Sequence, residues 1–236
     1  MELNTYPLVC TRGVVLYPNQ EIVIDVGRDT SVHAVENAQD NYDKKICLFS
    51  QKELEQENPA TEDIYSVGTL CEIRHIRRFD NFLRVKFRGI KRVKLNKWIN
   101  GSLSDLVEVE ILESEKQDTV EEEALIRMIA DELDRMQGQD RFVTKEIVME
   151  ISKGMGGEFL SDKAVQGLPL DLERKQKYLE TLGVNDRLMM LLQDMAKEKK
   201  MSEVEKQINE TVKERIDQGQ KDYYLREKMN VIREEL

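Results

Sequence analysis

Leu83-Arg84-Val85-Lys86-Phe87-Arg88 alternates apolar and basic residues without a break. A strand sends successive side chains to opposite faces, so such a run buries one face and wets the other. Leu83, Val85 and Phe87 therefore face a core. With its neighbours the stretch reads as a hairpin over Leu70–Leu95 that turns at Asp80-Asn81. In a two-residue hairpin the flanking positions face each other, which pairs Phe79 with Phe82. Parity puts that pair on the side of Arg84 and Lys86, the solvent side. The same register sets Arg77 opposite Arg84, an unfavourable pair unless an anion or water intervenes. Alternation fails near Arg74-His75, where a bulge is expected.

Strand character extends outward from the hairpin. Val14–Tyr17 and Ile22–Val26 read as strands around a turn at Pro18-Asn19, and Ile46–Phe49 as a short, fully apolar strand. Asp29, Thr30 or Ser31 caps a short helix between them. Gln51–Glu62 is a polar loop. Strands continue to Leu112, with Asn100-Gly101 as a hairpin turn and Val107, Val109 and Ile111 alternating with acids.

After Glu113–Asp118 the apolar period becomes helical. Thr119 with Glu122 forms a capping box for a helix whose apolar face carries Ala124, Leu125, Met128, Ile129, Leu133 and Met136. A second helix is expected over about Arg141–Lys153, and a short one after Gly154–Gly157. Asp171 starts another, closed by Gly183, and Asn185 caps the next, to about Lys200. Ser202 with Glu205 opens a last helix of roughly 50 Å. It reaches Arg233–Leu236 without the glycine or asparagine that commonly ends a helix, so the chain reads as cut mid-helix. Within it Gly219 permits a kink without requiring one. The fold class is α+β: a β-rich part at 1–115, a helical bundle at 116–201 and a long helix at 202–236.

Composition narrows the function. Of 236 residues 35% are charged and 40% hydrophobic, and no apolar run reaches the ~18 residues of a membrane span. A cytoplasmic setting with no membrane partner is the expectation. Cys10, Cys47 and Cys71 lie in apolar runs without metal-ligand spacing, which fits reduced, buried thiols. The net charge of −10 is uneven, about −2 through Leu112 and −8 beyond, and an acidic chain is a poor bulk partner for nucleic acid. There is no G-x-x-x-x-G-K-[ST] loop and no G-x-S-x-G elbow, and only two histidines occur, His33 and His75. No catalytic constellation, metal site or cofactor site is expected in these residues.

Binding features remain. The pair Phe79 and Phe82, with Tyr17-Pro18 at another turn, would form an apolar patch if exposed. Arg77, Arg78 and Arg84 beside it would grip acidic or aromatic side chains. The bland alternative is that the rings pack under neighbouring loops. Apart from Met1, all nine methionines fall between Met128 and Met229, where they suit either an adaptable surface or a helical core. Arg74–Lys97 holds ten lysines or arginines against the single acid Asp80. It would contact phosphates if unpaired, or be a solvated sheet face.

Several motifs in order resemble a known family. Pro7-Leu8-Val9-Cys10-Thr11-Arg12-Gly13-Val14-Val15-Leu16-Tyr17-Pro18 is similar to the opening of the N-terminal domain of ATP-dependent Lon proteases. Val26-Gly27-Arg28, Asp63–Thr69 and Gly89-Ile90-Lys91-Arg92-Val93 follow in the family's order. Leu168-Pro169-Leu170, Lys175–Glu180 and Arg187-Leu188 resemble its second segment, and Gln220–Met229 the stretch before its ATPase module. Departures stand at Cys10-Thr11, Phe87-Arg88, Gly219 and Lys221-Asp222.

The resemblance spans nearly the whole chain. It implies a twisted β-rich domain with one or two helices, then an all-α bundle ending in a long helix. It also implies recognition of unfolded or degron-bearing proteins, for which the exposed turns offer Tyr17, Pro18, Phe79 and Phe82 as contacts, with Arg77, Arg78 and Arg84 as secondary ones. The parent would be a hexameric ATP-dependent serine endopeptidase. Its ATP, Mg and serine–lysine dyad would lie beyond Leu236. A stand-alone adaptor, or a nucleic-acid-binding module making weak DNA contact through Arg74–Lys97, is the alternative.

Overall fold

The computed structural model describes residues 3–115, 117–136, 149–150 and 154–234. The helix expected over 141–153 lies almost wholly outside them. Six strands form one sheet: β1 (Leu3–Thr11), β2 (Glu21–Val26), β3 (Lys45–Ser50), β4 (Val67–Arg78), β5 (Leu83–Ile99) and β6 (Leu106–Leu112). Helix α1 (Asp29–Asn41) lies in the crossover that makes β1 and β3 parallel neighbours.

The length of β5 organises the sheet. Its first part pairs with β2, from Val26↔Leu83 to Glu21↔Arg88. Its second part pairs with β6, from Arg92↔Leu112 to Ile99↔Leu106, while β4 runs along most of it. Through β4, β3, β1 and β6 the pairing returns to β5, closing a ring that β2 extends at one end. The expected bulge is present, as a register shift between Ile73 and His75. The β5–β6 connection is a longer loop than Asn100-Gly101 alone suggests, since pairing resumes only at Ile99↔Leu106.

Several strands are buried on both faces. Leu8, Cys47, Phe49 and Leu70 pack with Val93, Val107 and Val109, while Val9, Ile46, Leu48 and Cys71 pack beneath Ala34, Val35 and Ala38 of α1. A strand covered on both sides needs continuous apolarity instead of alternation. That accounts for Ile46–Phe49, and for the apolar run around Cys10 in β1.

The remaining helices are α2 (Thr119–Met136), α3 (Gly157–Gly167), α4 (Leu172–Glu180) and α5 (Val184–Glu234). Asp171 caps α4 as expected, its carboxylate accepting from the Arg174 N–H at 2.7 Å. The cap of α2 is Asp118, not the Thr119–Glu122 box: the Asp118 carboxylate accepts from the Val120 N–H at 2.8 Å. Glu122 instead accepts from the Gly157 N–H at 2.9 Å, at the start of α3. On α2, Leu125, Ile129 and Leu133 are buried, but Ala124 and Met128 are exposed. The break expected near Ser202 is absent, and α5 is one helix of 51 residues.

By contact the chain divides into two compact units, Met1–Leu192 and Gln193–Leu236. Within the first unit, a buried ion pair joins the sheet to the helices. The Arg92 guanidinium of β5 donates to both Asp162 carboxylate oxygens of α3, at 2.9 and 2.5 Å, and its Nε donates to the Leu179 carbonyl at 3.1 Å. Both side chains are about 2% exposed. Arg187, fully buried, stands 3.9 Å from the same carboxylate. Burial pushes the Asp162 carboxyl above the usual carboxylate range, against the pull of Arg92. Desolvation of this pair therefore offsets much of its attraction. Two neutral bonds join the same parts: the Tyr17 hydroxyl donates to the Lys175 carbonyl at 2.7 Å, and the Gln176 amide to the Val67 carbonyl at 2.8 Å.

Two stability predictions follow from these packings. Asp162→Leu should cost about 3–5 kcal/mol in urea unfolding, because it strands two buried guanidinium groups, Arg92 and Arg187. Arg92→Met should cost less, since Arg187 still faces the carboxylate. Adding Arg92→Met to Asp162→Leu should recover part of that loss by removing one of the two stranded charges; additive losses would contradict the account. In the second unit, a Cβ at Gly219 would meet nothing within 4 Å. Gly219→Ala should therefore stabilise α5 by ~1 kcal/mol, visible as a higher helical melting temperature by circular dichroism.

Candidate functional site

The β4–β5 hairpin closes as the alternation predicts. The Phe79 N–H donates to the Phe82 carbonyl at 3.0 Å, with Arg77 paired to Arg84 and Arg78 to Leu83. Leu83, Val85 and Phe87 are buried, which forces the odd partners of each pair outward. Phe79 and Phe82 stack with ring centroids 4.7 Å apart and planes 13° apart. Both rings are half-buried, less open than the sequence suggests, because each covers the other.

Guanidinium groups frame the stack. Arg77 lies 5.0 Å from the Phe79 centroid, and Arg84 lies 5.3 Å from Phe79 and 5.6 Å from Phe82. These are cation–π distances, so the apolar rings carry a cationic rim. The like-charge Arg77–Arg84 pair is relieved by an anion from β2. Arg84 donates twice to the Asp25 carboxylate, both at 2.7 Å. That guanidinium holds the Asp25 carboxyl below its usual range, and the pair raises the Arg84 pKa in turn. One register step along, Lys86 pairs with Glu21 at 2.6 Å, and its hydrogen bond likewise lowers the Glu21 carboxyl. Arg78 turns to the other side and pairs with Glu36 of α1. Among the described residues Arg77 has no acidic partner within ion-pair distance. Between the two paired acids Val23 is 55% exposed, adding apolar surface to this face.

Tyr17 and Pro18 do not join this surface. Gly89 of β5 explains why: a Cβ there would stand 2.2 Å from the Tyr17 carbonyl, so the 17–18 segment lies directly on the strand. Backbone bonds from Asn19 N to Gly89 O and from Gly89 N to Gln20 O, both 2.9 Å, fasten it. Tyr17 is fully buried, and burial pushes its phenol pKa well up. The turn is real, but it faces inward.

The basic run also differs from a phosphate-binding face. Arg74, Arg78, Arg84, Lys86 and Lys91 each pair with a carboxylate, and Arg92 is buried against Asp162. A strip whose charges are largely neutralised locally offers little counterion release. Among the described residues no cluster of three or more His, Cys, Asp or Glu could hold a metal.

Sequence reasoning missed Asp25, Glu21 and Val23. Their signal is present in Glu21-Ile22-Val23-Ile24-Asp25, whose odd positions mirror Arg84, Lys86 and Arg88 once the two strands are paired.

The sequence matches the family described as the ATP-dependent protease La (LON) substrate-binding domain over residues 5–197. It is 33% identical to the Lon protease of Brevibacillus choshinensis over 98% of this chain and 30% of that protein. It is 32% identical to Lon protease 1 of Bacillus subtilis over 99% of this chain and, again, 30% of that protein. The chain thus spans about a third of the length of these relatives. Its fold is that of the N-terminal domain of a Mycobacterium avium complex Lon protease, at a TM-score of 0.66 with 19% identity, covering 82% of this chain and 98% of that one. A Lon N-terminal domain protein from Xanthomonas campestris superposes at 0.57 with 16% identity, covering 80% and 97%.

The Asp25–Arg84 pair generates a prediction of its own. A carboxyl lowered by folding stabilises above its unfolded pKa near 4, and that contribution is lost as pH falls through the folded value. Asp25→Asn should therefore lower the melting temperature at pH 7 and low salt, with a gap that narrows in ~1 M salt and closes in acid. A gap indifferent to salt and pH would contradict the electrostatic role.

Proposed function

The chain belongs to the family of ATP-dependent protease La (Lon) substrate-binding domains, and we propose that it captures polypeptide substrates through the aromatic tip of the β4–β5 hairpin. The observation that carries this reading is the Phe79–Phe82 stack framed by Arg77 and Arg84. A folded protein hides its aromatic and aliphatic side chains; an unfolded, damaged or degron-bearing one exposes them. A small apolar platform with a cationic rim would favour segments that mix apolar, aromatic and acidic residues. Such contacts are weak singly, and repetition around a hexameric parent would add avidity without further contacts.

Binding, not catalysis, is the role assigned to these 236 residues. ATP and Mg binding and peptide-bond cleavage by a serine–lysine dyad are assigned to the part of a Lon protease that this chain does not match. No helix among the described residues is long and apolar enough to cross a membrane. The three free cysteines fit the cytoplasmic setting we propose. The stand-alone adaptor and nucleic-acid readings have no observation in their favour beyond those already weighed.

The test replaces both Phe79 and Phe82 with serine in the full-length protease. Degradation of an unfolded protein should fall about tenfold in kcat/KM, mainly through KM, while ATP-dependent cleavage of a short peptide stays near wild type. Loss of neither activity, or equal loss of both, would overturn the capture role.

A further inference from the structure

Beside the hairpin lies a cavity of about 330 Å³ whose wall includes Arg12, Asp25, Gly27, Arg28 and Ser31. It touches the hairpin directly: a Cβ on Gly27 would stand 3.8 Å from both the Asn81 carbonyl oxygen and Phe82 Cβ. Its floor is apolar, built from Val9, Val14, Ile24 and Val26.

The polar part of the wall holds two guanidiniums and one carboxylate. Arg12 and Arg28 both line it, and neither makes an ion pair among the described residues. Arg12 donates to the Gln56 carbonyl at 3.2 Å, and Arg28 to the Gln51 side-chain carbonyl. Both partners are neutral. Burial, and next the neighbouring Arg12 charge, push the Arg28 pKa down, as expected of a guanidinium short of anionic company. Cys10 and then Glu57 oppose that shift. The one carboxylate in the wall, Asp25, already accepts two bonds from Arg84. Arg28 is also the N-cap of α1, and no side chain caps that terminus, so the first N–H groups of a 13-residue helix add positive potential. Ser31, in the first turn, is only 7% exposed, lines the cavity and has no hydrogen-bond partner among the described residues. A neighbouring cavity shares Arg28 and Ser31 but carries Glu57 and Asp105, which unfits it for an anion.

Two unneutralised guanidiniums, an uncapped helix start and an unpartnered hydroxyl on a largely buried residue converge above an apolar floor. We infer that this cavity takes the C-terminal residue of a polypeptide, its carboxylate held by Arg12, Arg28 and Ser31 and its apolar side chain on Val14 and Ile24. The cavity has room for one residue, and the rest of the peptide would leave past Gly27 toward the Phe79–Phe82 tip. This deepens the capture reading and shares its premise that the chain binds polypeptides, but it does not depend on the hairpin.

The test uses the 236-residue chain and a fluorescein-labelled hexapeptide ending in leucine, made as the free acid and as the amide, with binding read by anisotropy. The acid should bind about tenfold more tightly than the amide, the scale of one lost charged contact. Arg12→Gln and Arg28→Gln should each weaken the acid about fivefold or more and draw the two peptides together. Arg12 is exposed and bonded to one carbonyl, so its variant keeps the test valid if Arg28→Gln unfolds the chain. Ser replacement of Phe79 and Phe82 should weaken acid and amide by the same factor, which separates carboxylate recognition here from capture at the hairpin. Equal binding of acid and amide, no binding of either, a ratio untouched by Arg12→Gln, or inorganic phosphate binding where the acid peptide does not would each overturn the assignment.

Discussion

One guanidinium inside the first unit fixes how sheet and helices meet. Arg92 sits in the middle of β5, where its register is set by Thr69 on one side and Leu112 on the other. Its neighbour Val93 points into the sheet's own core, so Arg92 has to point away from it. There it meets Asp162 from α3 and the last turn of α4 at Leu179. A buried charge tolerates few geometries, since any slip leaves donors without acceptors in a medium that cannot solvate them. The pair thus selects one packing of helices on strands more than it adds to total stability. Tyr17 and Gln176 repeat the selection with neutral bonds at the same seam.

The same strand then carries the proposed capture surface. From Arg92 back toward Leu83, β5 leaves the closed ring and runs out between β4 and β2 to the Asp80-Asn81 turn. Its inward residues stay buried to Leu83, so the tip is an extension of a packed strand and not a loose loop. Rigidity matters for weak, repeated contacts, because an ordered platform loses little entropy when it is occupied. The β2 acids have a related effect. By neutralising Arg84 and Lys86 they allow three cationic strand positions to lie side by side, and they leave Arg77 to colour the tip.

How far the sequence could be read depends on which face of each residue is covered. Leu83–Arg88 was fully legible because one face is wet and one dry. The facing of Phe79 and Phe82 and the bulge at His75 follow from that alternation alone. The burial of Tyr17-Pro18 was not legible for the opposite reason. Turn chemistry reports local backbone shape, and nothing near Pro18 reveals that Gly89 admits the segment against β5. Arg92 hid within a basic run, where charge suggests solvent; its partner lies 70 residues away. Ser202 with Glu205 looked like a helix start, yet a cap adds only ~1 kcal/mol and a helix already under way gains nothing by stopping.

Charge placement ties the two proposed contacts together. The chain carries −10 overall, yet the corner formed by Arg12, Arg28, Arg77 and Arg84 presents four guanidiniums around two apolar features, the ring stack and the cavity floor. An acidic body repels acidic polypeptides in general, so a local cationic corner selects where they touch more than how often. Asp25 lies at the centre of that corner, lining the cavity while holding Arg84. Its carboxylate keeps the hairpin register free of like-charge strain, and because both oxygens are already bound it subtracts little from the field that Arg12 and Arg28 direct into the cavity. The acid that reconciles two arginines on the hairpin is thus what lets two more remain unpaired beside it.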